Sequence, residues 1–121
     1  MNRGSIAIEN DKVTVTFVDG TVWLSQHQIA SLFDVFASKI SSNIRSILKN
    51  EQLRESDVCY TYRFDGGSID LYNLEMILAL AFRVGSYKAE VLRRWILEQI
   101  AVKRGDNAPI FLNFKSGAVV N

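Results

Sequence analysis

Apolar residues repeat at helical spacing in two runs between Ser25 and Lys49, and a gap of a few residues separates the runs. The first run follows an S-x-x-Q pattern, in which Ser25 and Gln28 can each accept a hydrogen bond from a free backbone N–H of the first turn. The second run lies on one stripe of a helix that begins at Ala37. Because the gap is too short for anything but a turn, we predict two helices that meet at an angle.

The turn between these helices consists of Asp34, Val35 and Phe36. Asp34 stands where the backbone tends to adopt a positive φ, which Asp tolerates better than most residues. Phe36 stands where Ser or Thr usually caps the next helix. The small Ala30 before the turn and the apolar Ile40 after it fit a helix-turn-helix. The alternative is a plain helical hairpin whose polar outer face is only solvated.

The outer face of the second predicted helix carries hydroxyls and positive charge, and no acid occurs between Asp34 and Glu51. Such side chains suit the phosphate oxygens and base edges of a DNA major groove. The predicted DNA contacts on this helix are Ser38, Lys39, Ser42, Asn43, Arg45 and Lys49. We expect Asn43 and the hydroxyls nearest the base edges and Lys49 nearest a phosphate. A palindromic site would require a homodimer, since one short helix contacts only a few base pairs.

Two β-hairpins are predicted beside the helices. Alternating apolar residues over 13–17, followed by Asp19 and Gly20, predict a first hairpin that returns over 22–24, whereas residues 1–10 look irregular. A second hairpin is predicted from 58–64, a Gly66-Gly67 turn and the return over 68–72.

The second hairpin follows the two helices, which is where a winged helix-turn-helix carries its wing. Arg63 near its tip is the remaining predicted DNA contact, although Asp65 and Asp70 lie close by in the sequence.

The rest of the chain is predicted to contain two more helices and an arm. Asn73 is a good N-cap for an apolar helix that ends at Gly85, and Ser86 caps the last helix. The residues of the last helix that we expect to face inward are Val91, Leu92, Trp95, Ile96 and Ile100. The predicted fold is therefore α+β and winged helix-turn-helix-like over residues 1–104, with about four helices and two small hairpins. Residues 105–121 are predicted to form an extended C-terminal arm, which folds back or packs on a second subunit.

The composition is that of an ordinary soluble protein, and the net charge at pH 7 is only +1. Positive charge concentrates over 35–50 and 77–104, whereas 51–76 is acidic. This segregation modestly favours a polyanion partner. No run of 18 apolar residues and no secretion leader occur, so we expect a cytoplasmic protein that does not enter a membrane.

The chain offers little material for catalysis. His27 is the sole histidine and Cys59 the sole cysteine, so the usual nitrogen and sulfur ligands of a zinc site are missing from one chain. We expect His27 to be exposed and Cys59 to be a buried apolar residue. No pairing of a nucleophile with a base is visible. The expectation is a protein that is not an enzyme and has no metal, no cofactor and no small-molecule substrate.

Several separated motifs together resemble the RhuM-type virulence-protein family. These motifs are W-L-S-Q-x-Q-I-A-x-L-F at 23–33, V-x-x-S-K-I-S-x-N-I at 35–44, an S-V-C-like segment at 56–59, Y-N-L-x-x-I-L-A at 72–79, R-V-G-S at 83–86 and R-R-W at 93–95. The resemblance implies an amino-terminal DNA-binding domain, similar in kind to those of phage antirepressors, in a bacterial or phage-derived regulator. Members of the family often carry arginine where this chain has Ala37 and Ser42, and Lys39 and Arg45 partly restore that charge.

Two functions follow as hypotheses. The first is a sequence-specific regulatory protein that binds double-stranded DNA through the helix 37–49. The second uses the same fold as a protein interaction module, antirepressor-like and without DNA binding of its own. The second hypothesis is supported by the low net charge and by Phe36, an apolar residue in the turn.

Overall fold

The computed structural model describes residues 2–104, which form a mixed α+β fold with five helices and two antiparallel β-hairpins. The strands are β1 (Ser5–Glu9), β2 (Lys12–Thr16), β3 (Cys59–Phe64) and β4 (Gly67–Tyr72). The helices are α1 (Gln26–Phe33), α2 (Ala37–Lys49), α3 (Glu55–Val58), α4 (Leu74–Ala81) and α5 (Tyr87–Arg104). The predicted arm over 105–121 lies outside the described residues. The α+β class and the presence of two small hairpins are confirmed.

The first hairpin has a different partner strand from the predicted one. β2 coincides with most of the predicted strand, but it pairs with β1, so the segment Ser5–Glu9, which was predicted to be irregular, is a strand. Asn10 and Asp11 form the connection with φ values of 51° and 65°, and two positive φ values suit the tight turn that right-twisted strands favour.

The prediction of a return strand over 22–24 was wrong, because this segment bonds to other parts of the chain and not to β2. Asp19 and Gly20 do make a turn, but only Val18 and Thr21 pair across it. The backbone N–H of Trp23 instead donates to Arg3 O at 2.9 Å, while Leu24 pairs with a residue of the second hairpin. These longer-range bonds draw the chain away from β2.

The two central helices are confirmed. Ser25 Oγ accepts from Gln28 N at 3.2 Å and Gln28 Oε1 accepts from Ser25 N at 2.9 Å, which completes the capping box at the start of α1. α1 ends at Asp34, whose backbone is left-handed with φ 59° and ψ 49°. Phe36 is the N-cap of α2 and its side chain makes no capping hydrogen bond. The chain therefore changes direction in a short turn between two packed helices.

The second hairpin is joined to the start of α1. β3 and β4 pair from Cys59↔Tyr72 to Phe64↔Gly67, which confirms the predicted hairpin. The turn lies at Asp65-Gly66 and not at the predicted Gly66-Gly67, because Gly67 belongs to β4. Leu24 N donates to Tyr72 O at 2.9 Å and Tyr72 N donates to Leu24 O at 2.7 Å. These two bonds fix the base of the hairpin to the residue that precedes the cap of α1.

The prediction of about four helices missed α3, a single turn in the acidic stretch before β3. Four residues are too few to show an apolar period, so the pattern alone does not reveal such a helix.

The buried core lies where α1, α2, α4 and the first half of α5 meet. The fully buried side chains from these helices include Ile29, Phe33, Ile40, Ile47, Met76, Ile77, Leu80 and Leu92. α4 ends at Ala81, earlier than the predicted Gly85. Ser86 Oγ accepts from Ala89 N at 3.2 Å, so the predicted cap of α5 is confirmed.

The expected inward position of Ile100 was wrong, since 45% of this residue is exposed. α5 is buried at Val91 and Leu92, half-buried at Trp95 and Ile96, and exposed over residues 97–100. The helix therefore extends beyond the elements that cover its first half.

Candidate nucleic-acid interface

α2 presents one apolar side to the core and one polar side to solvent. Ile40, Ile44 and Ile47 are buried on the inner side. The predicted contact residues that lie exposed on the outer side are Ser38, Lys39, Ser42, Arg45 and Lys49. The structure thus brings five of the seven predicted residues onto one accessible surface, which we call the outer face of α2.

The hydroxyls and cations of this outer face are not offset by carboxylates of the same helix, because no acid occurs between Asp34 and Glu51. Arg45 Nη1 donates to Ser41 Oγ at 2.9 Å, which directs the Arg45 side chain along one flank of α2. The outer face is therefore electropositive along its length, and a polyanion can approach it without meeting a negative side chain of α2.

Asn43 is half-buried and its side-chain amide is already engaged. Its Nδ2 donates to the backbone O of Lys39 at 2.9 Å, and its Oδ1 accepts from Arg83 at 3.0 Å. These two bonds hold the amide toward Lys39 and Arg83, so turning it toward a base edge would break them. The predicted role of Asn43 in contacting bases stays a prediction, and the structure adds this cost to it.

Arg83 is the residue that the sequence pattern missed. It is exposed in the turn after α4, and its guanidinium lies across the flank of α2 opposite Arg45. Nε donates to Asn43 Oδ1 at 3.0 Å, Nη2 to Ser46 Oγ at 2.8 Å and Nη1 to Gln52 Oε1 at 3.4 Å. No local pattern could have indicated these contacts, because they join residues 31 to 40 positions apart in the chain. Only the R-V-G-S motif of the family resemblance included Arg83.

The turn that carries Arg83 is itself held by a second arginine. Arg93 reaches back from α5, and its Nη1 donates to Ala81 O at 2.6 Å and to Val84 O at 2.9 Å. These are carbonyls at and just beyond the C-terminal end of α4, where the helix leaves them without helical partners. Arg93 therefore fixes the backbone on both sides of Arg83.

The second hairpin carries the remaining predicted residue, Arg63, which is exposed on β3 and paired in register with Ser68. Arg63 shares its side of β3 with Thr61, whose hydroxyl donates to Asp70 Oδ1 at 2.7 Å. The other side of β3 is aromatic: Tyr62 stacks on Phe64 with ring centroids 6.1 Å apart. Arg63 thus belongs to the hairpin surface and not to the outer face of α2.

Cys59 and Tyr72 are paired across β3 and β4. Desolvation and the nearby Asp70 raise the pKa of the Cys59 thiol, which keeps it protonated and weakly nucleophilic. Desolvation likewise raises the pKa of Tyr72. Cys59 is half-buried, whereas a buried position was predicted, and His27 is exposed as predicted.

Two structural features are absent from residues 2–104, the part of the chain that the structure describes. No cluster of three or more His, Cys, Asp or Glu side chains in this range is arranged to hold a metal ion. Within the same range, no helix combines the length and apolar composition needed to cross a membrane.

Comparisons of the chain with protein-family models, curated proteins and solved structures find no match. The resemblance to the RhuM-type family therefore stays a prediction from the motifs quoted above. The function proposed below rests on the outer face of α2 and its surroundings.

Proposed function

We propose that this protein is a winged helix-turn-helix DNA-binding regulator that inserts α2 into the major groove. The observation that carries the proposal is the outer face of α2: five exposed hydroxyl-bearing or cationic residues on a helix without a carboxylate. The left-handed turn at Asp34 supports it, because it joins two packed helices as in a helix-turn-helix.

Dimensions and side-chain chemistry agree with this docking. An α-helix with side chains is about 10–12 Å across, and the major groove of B-DNA is about 12 Å wide. The N-terminal part of a docked recognition helix contacts base edges, which assigns that role to Ser38, Lys39 and Ser42. Arg45 and Lys49, farther along the helix, contact phosphates.

The β3–β4 hairpin is the proposed wing. Its base is bonded to the residue before α1 through Leu24 and Tyr72, so it is held in a fixed relation to the start of the helix pair. Arg63 near its tip is the proposed wing contact with a phosphate.

The proposal is tested by fluorescence anisotropy of the full chain with a mixed pool of duplex DNA, at low and at physiological salt. Binding should weaken steeply as salt rises, because phosphate contacts release counterions. The double variant Arg45→Ala/Lys49→Ala should reduce the slope of log K against log salt by about two.

A matched control removes two exposed cations near the first hairpin, Lys12→Ala/Arg94→Ala, and should leave the slope unchanged. An equal loss of slope in both double variants would show that charge acts without a specific site. An unchanged slope in the α2 variant would remove this helix from the interface.

One observation favours a second candidate, a protein interaction module. Phe36 is 86% exposed at the N-terminal end of α2, and exposed aromatic residues are frequent anchors of protein interfaces. Under this candidate, Phe36→Ser should abolish binding to the protein partner. If DNA binding persists in that variant, the contact depends on phosphates and not on Phe36. Absence of DNA binding at low salt, with the protein folded and monodisperse, would favour this second candidate.

A further inference from the structure

Arg83 holds its charge at a fixed position beside α2. Its three hydrogen-bond acceptors are an amide oxygen of Asn43, the hydroxyl of Ser46 and an amide oxygen of Gln52. All three acceptors are uncharged, so they orient the guanidinium without neutralising it. The side chain is nevertheless exposed to solvent, and a ligand can reach it.

Some N–H donors of the Arg83 guanidinium make no hydrogen bond within residues 2–104. Arginine has five N–H donors in a planar fork, one on Nε and two on each Nη. Three of them are used, one on each nitrogen. Two donors remain without an acceptor among residues 2–104, one on each Nη, and a phosphate group offers oxygens that accept such a pair.

The position of Arg83 matches where a DNA backbone would run. Successive residues of an α-helix are rotated by about 100° about its axis. Measured from Ser42, which lies on the outer face of α2, Asn43 and Ser46 are rotated toward one flank of the helix and Arg45 toward the opposite flank. A helix that fills the major groove turns its two flanks toward the two sugar-phosphate backbones. Arg45 and Arg83 therefore stand on opposite flanks of α2, one for each backbone.

We propose that Arg83 is a phosphate-binding residue of this protein, which clamps the DNA backbone on the flank of α2 opposite Arg45. This inference rests on the function proposed above and deepens it, because it adds a contact from outside the helix-turn-helix. The three intramolecular bonds order the long side chain before DNA arrives, so less side-chain freedom is lost on binding. Arg93 contributes by holding the turn that carries Arg83.

The test measures salt-dependent binding of the full chain to the same mixed duplex pool for wild type, Arg83→Ala, Arg83→Lys and the control Arg94→Ala. Arg94 is also an exposed arginine, but its guanidinium lies beside the Tyr87 phenol and not beside α2. The control therefore removes the same charge from another surface. Thermal unfolding of each variant confirms that it is folded.

Arg83→Ala should reduce the slope of log K against log salt by about 0.9, the value for one phosphate. Its affinity at physiological salt should fall roughly tenfold or more, because the charge-assisted hydrogen bonds to the phosphate are lost. Arg83→Lys keeps the charge but not the fork, so its slope should stay near wild type while its affinity falls by a smaller factor. Arg94→Ala should match wild type in both.

The outcomes separate this inference from the proposed function. If wild type binds and Arg45→Ala/Lys49→Ala lowers the slope, an unchanged slope in Arg83→Ala overturns the inference alone, even when affinity falls. In that case Arg83 acts only by supporting α2. If wild type does not bind duplex DNA, both the proposed function and this inference are overturned.

Discussion

Replacing Phe36 with serine is expected to stabilise the protein. Phe36 is the N-cap of α2, with the extended backbone (φ −69°, ψ 147°) that capping residues adopt, but its side chain cannot accept a hydrogen bond. At the start of α1, Ser25 has a similar backbone (φ −77°, ψ 167°) and accepts from Gln28 N. A serine at position 36 can therefore cap α2 without a change of backbone.

The size of the gain follows from two opposing contributions. Phe36 is 86% exposed, so about one seventh of its surface is buried, and only the burial of that part is lost on replacement. Full burial of a phenylalanine is worth about 1.5–3 kcal/mol, so this loss is about 0.2–0.4 kcal/mol. A serine N-cap contributes about 1 kcal/mol relative to an apolar residue. The free energy of unfolding should rise by about 0.6–0.8 kcal/mol, which corresponds to a Tm increase of roughly 3–6 °C for a domain of this size.

Urea and thermal unfolding of wild type, Phe36→Ser and Phe36→Ala measure this effect. Alanine removes the ring without adding a cap, so the difference between the two variants isolates the capping hydrogen bond. A loss of more than about 1 kcal/mol in both variants would show that the ring is packed and would refute the reasoning. The predicted gain would mean that the wild-type chain keeps an uncapped helix at this turn at the expense of stability, as residues retained for binding often do.

Three further variants or conditions test other parts of the structure. Ser25→Ala should lower the free energy of unfolding by about 1 kcal/mol, because a buried capping hydroxyl is lost; an unchanged urea midpoint would contradict the capping box. Arg93→Ala should cost about 1–3 kcal/mol by leaving two carbonyls of the turn after α4 without their charged donor, and a change below about 0.5 kcal/mol would remove that role. The raised pKa values of Cys59 and Tyr72 mean that the unfolded chain loses these protons first as pH rises, so stability should hold up to about pH 8 and fall above it. Urea midpoints at pH 8 and 10.5 test this fall, which should be smaller in Cys59→Ala; an equal fall in wild type and Cys59→Ala would contradict the contribution of Cys59.

The parts of the fold that sequence reasoning predicted are those with local causes. The start of α1 depends on two side chains three residues apart, and the left-handed conformation of Asp34 depends on the tolerance of Asp for positive φ. The uncapped start of α2 at Phe36 follows from the type of residue at one position. Such features involve residues within one turn of each other, so the order of residues along the chain is sufficient to find them.

The features that were missed depend on contacts between distant residues. The turns at Asn10-Asp11 and at Asp19-Gly20 each suit a hairpin that includes β2. The backbone bond from Trp23 N to Arg3 O favours the pairing of β2 with β1. Ile100 continues the apolar period of α5, but nothing in that period tells where the covering elements end. Arg83 is a third case, since its acceptors belong to α2 and to the segment that follows it.

The pair of backbone bonds between Leu24 and Tyr72 closes a loop that contains α1, α2, α3 and the second hairpin. α2 and the hairpin both lie within this closed segment, and the two bonds fix the base of the hairpin relative to the start of α1. Under the proposed function, a DNA site must then match both elements at once. Discrimination between partners can therefore come from the spacing of these two elements as well as from the chemistry of individual side chains.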